Sequence, residues 1–396
     1  MLIGGIDFLV QGSGGSGAGL PRSARLAVLA VFFLNGIAVA SWFVRIPAVK
    51  DGLGLSDGLL GVALLGTAVG AIVAMPVAGA AISRFGSRGI VGATAVLLSL
   101  SIMLPPLAGS LVALIPCVML IGAANGALDV SMNSQAVAVE DRYGRPIMSS
   151  FHAAFSFGGL VGATLGGLAA QANIGPLPHL AAAGALCGIS ALAAHHYLLP
   201  AGADAGDDDA PSFARPTVAL LGLGVISFCV LLGEGAMADW SAVYLDDTLR
   251  TGPGLAAAGY AAFSLTMALG RLFGDGLTER IGATTLVRIC GTLAAAGLGV
   301  ALLVGDPVVA LVGFACAGAG FSIVFPLALS AAGRTEGVAP GPGLAAVSTA
   351  GYTGFLVGPP AIGFAAEVFG LAGALFIVVG LSAAIVLLAA AVRGKK

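Results

Sequence analysis

Charge is what this chain has least of. Only 9% of its 396 residues are Asp, Glu, Lys or Arg, against roughly 25% in an ordinary soluble domain. So few charges cannot cover a water-facing surface, which excludes a soluble globular protein of this length. The formal net charge of -2 leaves no basic face for a nucleic acid backbone, so no nucleic acid partner is expected. Cysteine is scarce, with 5 residues, and Cys117, Cys187, Cys229, Cys290 and Cys316 all fall inside apolar runs without metal-ligand spacing. They read as small core residues rather than a metal site or a disulfide framework. Histidine numbers 4; there is no His-Glu-x-x-His motif, and His195-His196 lacks carboxylate ligands nearby. A membrane-embedded enzyme therefore lacks its constellation, and neither a catalytic residue, a metal nor another cofactor is expected. The Gly/Ser-rich lead also lacks the basic start and long apolar core of a signal peptide and carries Asp7, so residues 1–22 read as a flexible cytoplasmic tail.

What remains is apolar. Hydrophobic residues make up 58% of the chain and come in runs of membrane-crossing length. About 20 apolar residues cross a bilayer as a helix, which satisfies its own backbone hydrogen bonds. The runs predict an all-α integral membrane protein of twelve transmembrane spans: 26–49, 59–82, 90–107, 111–139, 147–170, 180–199, 218–245, 256–281, 285–304, 308–332, 343–368 and 371–392. The 62 glycines would weaken soluble helices but let membrane helices approach closely. An acidic linker, 200–216 with the run DAGDDDAP, separates six-helix bundles at 23–199 and 217–396.

Basic residues set the expected orientation. With the N-terminus inside, Arg22, Arg25, Arg84, Arg88, Arg142, Arg145, Arg215, Arg280, Arg288, Arg334, Arg393, Lys395 and Lys396 all fall inside. Only Arg45, Lys50 and Arg250 fall outside, and Arg271 lies within a span. Both termini are therefore expected in the cytoplasm, with the chain a multi-pass monomer of the inner, plasma membrane.

The two halves repeat. Trp42 matches Trp240 at an offset of 198, and at an offset of 196 Ser83-Arg84-Phe85-Gly86 matches Glu279-Arg280-Ile281-Gly282. At that second offset Gly158, Leu160, Val161, Gly162 and Gly167 also match Gly354, Leu356, Val357, Gly358 and Gly363. Six helices per copy return the chain to its starting side, so the repeat is parallel, and transporters built this way hold their substrate between the halves near the midplane.

These features resemble the major facilitator superfamily over nearly the whole chain. The loop GAAISRFGSR between spans 2 and 3 supplies Gly79, Arg84, Gly86 and Arg88 of that family's signature, with Ser83 where the family has Asp. DGLTERIGAT is its second copy, with Glu279, Arg280 and Gly282. The resemblance implies a gating role for these loops, in which a cationic cluster clamps neighbouring helix ends. The segment from Gly126 to Ala163 looks like a bacterial branch close to the fucose–proton symporters, whose acid and Asn four residues apart match Asp129 and Asn133. Phe155-Ser156 departs from the Phe-Asn of that group. Gly158, Gly162, Gly166 and Gly167 resemble the fifth-helix signature of drug–proton antiporters, with Ala163 in place of its Pro. Close helix packing explains those glycines equally well.

Ionisable groups are costly in a membrane, about 2.5 kcal/mol or more at its centre, so the few present are the candidates for function. Asn125, Asp129 and Asn133 recur every four residues along one face of span 4. Asp129 is the first candidate for a proton-coupling site and Glu234 the second, because a carboxylate withdrawn from water is stabilised by taking up a proton. His152 either shares a proton with Asp129 or sits at the membrane interface. Asn35, Trp42, Arg45, Ser156, Asp239, Trp240, Phe321, Phe325 and Tyr352 complete the expected solute-binding set. Trp42 offers a stacking platform, and Arg45 either pairs with an acid such as Asp239 or snorkels to water. Asp239 forms that gate or a solvated helix end, and Arg271 and Asp275, four apart on span 8, are expected to pair with each other. The set predicts proton-coupled symport of a small polar solute such as a sugar. Proton-coupled antiport exporting an amphipathic compound is the alternative, favoured by Phe321 and Phe325.

Overall fold

The computed structural model describes residues 21–145, 147–200, 218–335, 338 and 340–393. The expected linker lies outside them from residue 201 onward, and so does the expected tail up to residue 20. The first half contains α1 (Arg22–Phe43, continued by Ile46–Leu53), α2 (Asp57–Phe85), α3 (Ser87–Ser101), α4 (Leu111–Tyr143), α5 (Met148–Gln171) and α6 (Pro176–His195). The second contains α7 (Val218–Val243), α8 (Pro253–Ile281), α9 (Ala283–Val304) and α10 (Pro307–Phe321, continued by Val324–Ala332). A last helical stretch, Pro340–Leu388, is interrupted at Gly370, whose φ of 70° and ψ of 162° are not helical.

Among the described residues, eleven continuous stretches are apolar and long enough to cross a membrane, and the last of them has 50 residues. At 1.5 Å per residue that stretch would run about 75 Å as one rod, far beyond a hydrocarbon core of about 30 Å. Gly370 turns it back on itself, so it crosses twice, as α11 (340–369) and α12 (371–388). The twelve expected spans are thus present, the last two following each other directly across the kink at Gly370.

The packing repeats as the sequence does. In the first half α1 packs on α5, α2 on α4 and α3 on α6; in the second α7 packs on α11, α8 on α10 and α9 on α12. Gly86 and Gly282, matched at offset 196, hold the same left-handed turn at φ 75° and 79° after α2 and α8. The halves meet along two seams, α2 with α11 and α5 with α8.

Glycine makes the α1–α5 contact possible. A Cβ on Gly158 would lie 2.0 Å from the Phe33 carbonyl oxygen, and one on Gly36 would lie 2.0 Å from that of Phe155. Gly162 and Gly166 likewise face Ile37 and Val44 of the α1 segment, while Gly167 faces Gly254 and Ala257 of α8. The glycine stripe of α5 is therefore accounted for by backbone-to-backbone packing, at a contact too close for any side chain.

At the end of the bundle opposite Arg22 and Val392, polar contacts join the halves. Lys50 bonds Asp57 of α2 at 2.8 Å and also Asp247, which follows α7. Beside it, the Gly58 amide donates to Glu367 Oε1 of α11 at 2.8 Å. Closed ion pairs and a capped helix start hold this end of the bundle together.

Gly158→Val should lower stability by more than the roughly 3 kcal/mol usual for overpacking, because the obstruction is a carbonyl and not a movable side chain. Thermal unfolding followed in detergent checks this, with Gly276→Ala as the contrast. A Cβ on Gly276 meets nothing within 4 Å, and that variant should melt at or above the parent temperature.

Candidate functional site

Two polar bridges cross between the halves inside the bundle. On α4, one helical turn separates Asp129 from Asn133, so the Asn133 amide donates both to the Asp129 carbonyl at 2.8 Å and to its Oδ1 at 3.1 Å. The other carboxylate oxygen, Oδ2, faces the second half and accepts from the Tyr352 hydroxyl of α11 at 3.5 Å. Asp129 thus has two polar partners and, among the described residues, no cation in salt-bridge range.

The second bridge is the hydrogen bond from Arg271 to Ser156, anchored by an ion pair within the second half. Arg271 of α8 lies 3.6 Å from Glu234 of α7, with side chains 15% and 17% exposed. The same guanidinium donates to the Ser156 hydroxyl of α5 at 2.8 Å, so one cation ties α7, α8 and α5. The expected pair of Arg271 with Asp275 does not form. Four residues apart on α8 they share a face, but Arg271 reaches into the bundle toward Glu234, while Asp275 accepts from Ser149 at 3.2 Å in an exposed contact.

Other expectations are corrected by where the side chains go. Trp42 is 2% exposed and Trp240 0%, and the Trp240 indole nitrogen has no hydrogen-bond partner. Both rings pack as core, so neither presents a stacking face in this conformation. Arg45 neither snorkels nor pairs with Asp239. The first crossing breaks at Val44-Arg45, ahead of Pro47, and Arg45 is buried at 3% exposure with its Nε donating to His179 Nδ1 of α6 at 3.1 Å. His152 sets its ring edge against Phe32 at 5.4 Å and makes no hydrogen bond to Asp129. Phe321 is 1% exposed and covers Gly233 of α7, where a Cβ would sit 2.6 Å from its ring. It is therefore packing, whereas the partly exposed Phe325 touches Gly351 beside Tyr352.

The remaining polar residues divide between these regions. Asn35 donates weakly to the Met132 sulfur at 3.7 Å, and the amide oxygens of Asn35 and Asn125 are buried without partners. Asp239 is partly exposed and makes no hydrogen bond or ion pair among the described residues. It lies near Tyr260 of α8, as do Glu234 and Arg271.

At the other end of the bundle, Arg88 donates to the carbonyls of His195 at 3.1 Å and His196 at 3.0 Å, holding the end of α6. Arg84 lies over the Phe85 ring instead, and the Gly79 position is open. Glu279 and Arg280 are exposed and form no ion pair among the described residues. The second copy of the loop therefore keeps the glycine turn at Gly282 without the clamp.

Sequence reasoning missed three residues. Gln135 is buried and bonds Ser87 at 2.7 Å and both backbone groups of Leu199, at 3.0 and 3.1 Å, locking α4 to the α3 start and the α6 exit. A polar residue in an apolar run was its only signal. Arg271 was visible as a charge inside a span, but the nearer Asp275 gave it a local partner. Tyr260 carried no signal at all.

Comparison with known proteins agrees with this arrangement. The Major Facilitator Superfamily profile matches residues 28–335. An uncharacterized MFS-type transporter of Yersinia pestis is 36% identical over 351 residues, which cover 88% of this chain and 89% of that protein. The membrane protein MosC of Rhizobium meliloti is 35% identical over 361 residues, covering 90% and 87%. Among solved structures, a mutant of the nucleoside transporter NupG superposes with a TM-score of 0.71 at 16% identity, over 93% of this chain and 98% of that one. A bacterial homolog of the human lysosomal transporter Spinster, in an inward-facing conformation, gives 0.68 at 16% identity over 95% of each chain.

Breaking either partner of the Glu234–Arg271 pair should destabilise the protein, by less than the roughly 3–5 kcal/mol of a fully buried pair because both groups keep some water. Glu234→Gln and Arg271→Gln should each melt lower than the parent. The double variant, which leaves no lone charge, should recover more than half of the larger loss, as read by thermal unfolding of all four proteins.

Proposed function

Since the chain belongs to the major facilitator superfamily of membrane transporters, we propose that it is a proton-coupled symporter of a small polar solute, with Asp129 as the proton site. The observation that carries this reading is the Asp129–Tyr352 bridge, a carboxylate without a cation partner at the interface of two halves that must move past each other. As an anion, Asp129 accepts from Asn133 and Tyr352. A proton removes the charge those donors serve and turns one oxygen from acceptor to donor. The link from α4 to α11 therefore depends on protonation, which lets proton binding bias the rocking of one half against the other. Glu234, already neutralised by Arg271, serves to hold α7, α8 and α5 together. His152 is a secondary candidate in proton transfer.

The solute is taken to lie between the bridges, near Asn35, Asn125, Asn133, Asp239, Phe325 and Tyr352. The Asp129–Asn133 pair keeps the likeness to fucose–proton symporters, but Ser156 is engaged with Arg271, so a fucose-like cargo has less support than small polar solutes in general. The basic residues around the α2–α3 and α8–α9 loops put that end in the cytoplasm by the positive-inside rule, with the protein a monomer in the inner membrane. The second reading, proton antiport of an amphipathic compound, draws support from the partly exposed Phe155, Phe325 and Phe355.

Proteoliposomes loaded with a pH-sensitive dye separate the two. When a mixture of hexoses, amino sugars and polyols is added outside, symport should acidify the lumen and antiport should make it alkaline. Asp129→Asn should abolish the pH signal, at least tenfold, while exchange of labelled solute across the membrane persists. A full pH signal in that variant would sink the assignment of Asp129.

A further inference from the structure

Among the described residues, Asp239 is the one carboxylate of the bundle interior to which the proton and ion-pair scheme gives no task. We propose, resting on the transporter reading above, that the solute carries a positively charged nitrogen and that Asp239 is its counter-ion. Charge balance inside the bundle carries the argument. The acids there are Asp129, Glu234 and Asp239, and the cation that reaches them is Arg271, already engaged with Glu234. Arg45 is turned away against His179. With the coupled proton on Asp129, the charge of Asp239 is left over. Its carboxylate is accessible and has no partner among the described residues, unlike the buried amide oxygens of Asn35 and Asn125.

With a neutral solute that carboxylate would have to take up a second proton of its own each time the bundle closed over it, and an anionic solute would add repulsion. An ammonium group supplies the missing charge. The surroundings suit it too: Tyr260, which lies near Asp239, packs edge-on against the partly exposed ring of Phe43 at 5.2 Å, and aromatic faces attract cations. An independent feature lies at the end of the bundle opposite the termini. Asp51, Asp57, Asp246, Asp247 and Glu367 gather there against Lys50 and Arg250. A mouth of that sign concentrates cations over anions.

The test measures binding to the purified full-length protein in detergent by thermal shift, at mildly acidic pH where amines are protonated. The probes are glucosamine, ethanolamine and choline as cations, glucose and N-acetylglucosamine as neutral twins, and glucuronate as the anion. At least one cationic probe should raise the melting temperature with an apparent affinity tenfold or more above that of any neutral or anionic probe. In Asp239→Asn that affinity should fall at least tenfold. Equal shifts from neutral or anionic probes, no shift from any cation, or an unchanged affinity in Asp239→Asn would each overturn the proposal. The charge preference is read on the unaltered protein, so it decides the matter even if Asp239→Asn fails to fold. Binding is measured without a proton gradient, so a failure of the Asp129 coupling scheme shows only in the dye assay and a failure of the charge preference only here.

Discussion

Hydrocarbon offers no hydrogen bonds, and every other feature of this protein answers to that. Each backbone amide must find its partner within its own helix, so the chain becomes a set of helices. Each polar side chain must find one between helices, so polar residues gather where helices meet. The scarcity of charge follows from the same rule, and so does the significance of the exceptions. Glu234 and Arg271 are tolerated because they answer each other, and Asp129 because Tyr352 and Asn133 serve it, inside the bundle rather than in lipid.

With no hydrophobic drive between helices in lipid, close packing has to come from shape. Glycine provides it: Gly36 and Gly158 bring α1 and α5 into backbone contact, and Gly354 does the same for α7 and α11. That rigidity inside each half is a precondition for moving the halves as units. The seams between halves use glycine too, with Gly61 and Gly363 bringing α2 and α11 together, and add charged or hydroxyl partners at Lys50–Asp247, Asp129–Tyr352 and Arg271–Ser156. The polar contacts among these can be exchanged for water or solute at modest cost.

The two copies of the repeat share their scaffold and differ in chemistry. Gly86 and Gly282 hold the same turn, yet among the described residues only the first loop clamps a neighbour, through Arg88. Trp42 and Trp240 are both buried. The polar face of α4 at Asp129 corresponds to α10 at Phe325, and the partner Asp129 finds is Tyr352 of α11. A fixed offset preserves packing positions because packing is local to each half, while the interior chemistry is shared between halves and needs each group only once.

Span number, the two halves, their repeat and the face carrying Asn125, Asp129 and Asn133 were all legible in the sequence, because they depend on hydropathy and helical period, which are properties of neighbours along the chain. The partners of those groups were not. Arg271 looked paired with Asp275 because both lie on one helix face, and Trp42 looked like a platform because an aromatic ring near polar residues suggests one. The reach of Arg271 to Glu234 and the burial of Trp42 reversed these readings, as the break at Val44-Arg45 and the packing of Phe321 over Gly233 did for Arg45 and Phe321. Each depends on the angle at which one helix meets another, and that angle is set by contacts between residues more than a hundred positions apart or in different helices. Hydropathy therefore determined that this chain crosses a membrane twelve times with a few costly charges inside. Only the tertiary structure decided that Asp129 faces Tyr352, that Arg271 answers Glu234, and that Asp239 answers to no group of the bundle.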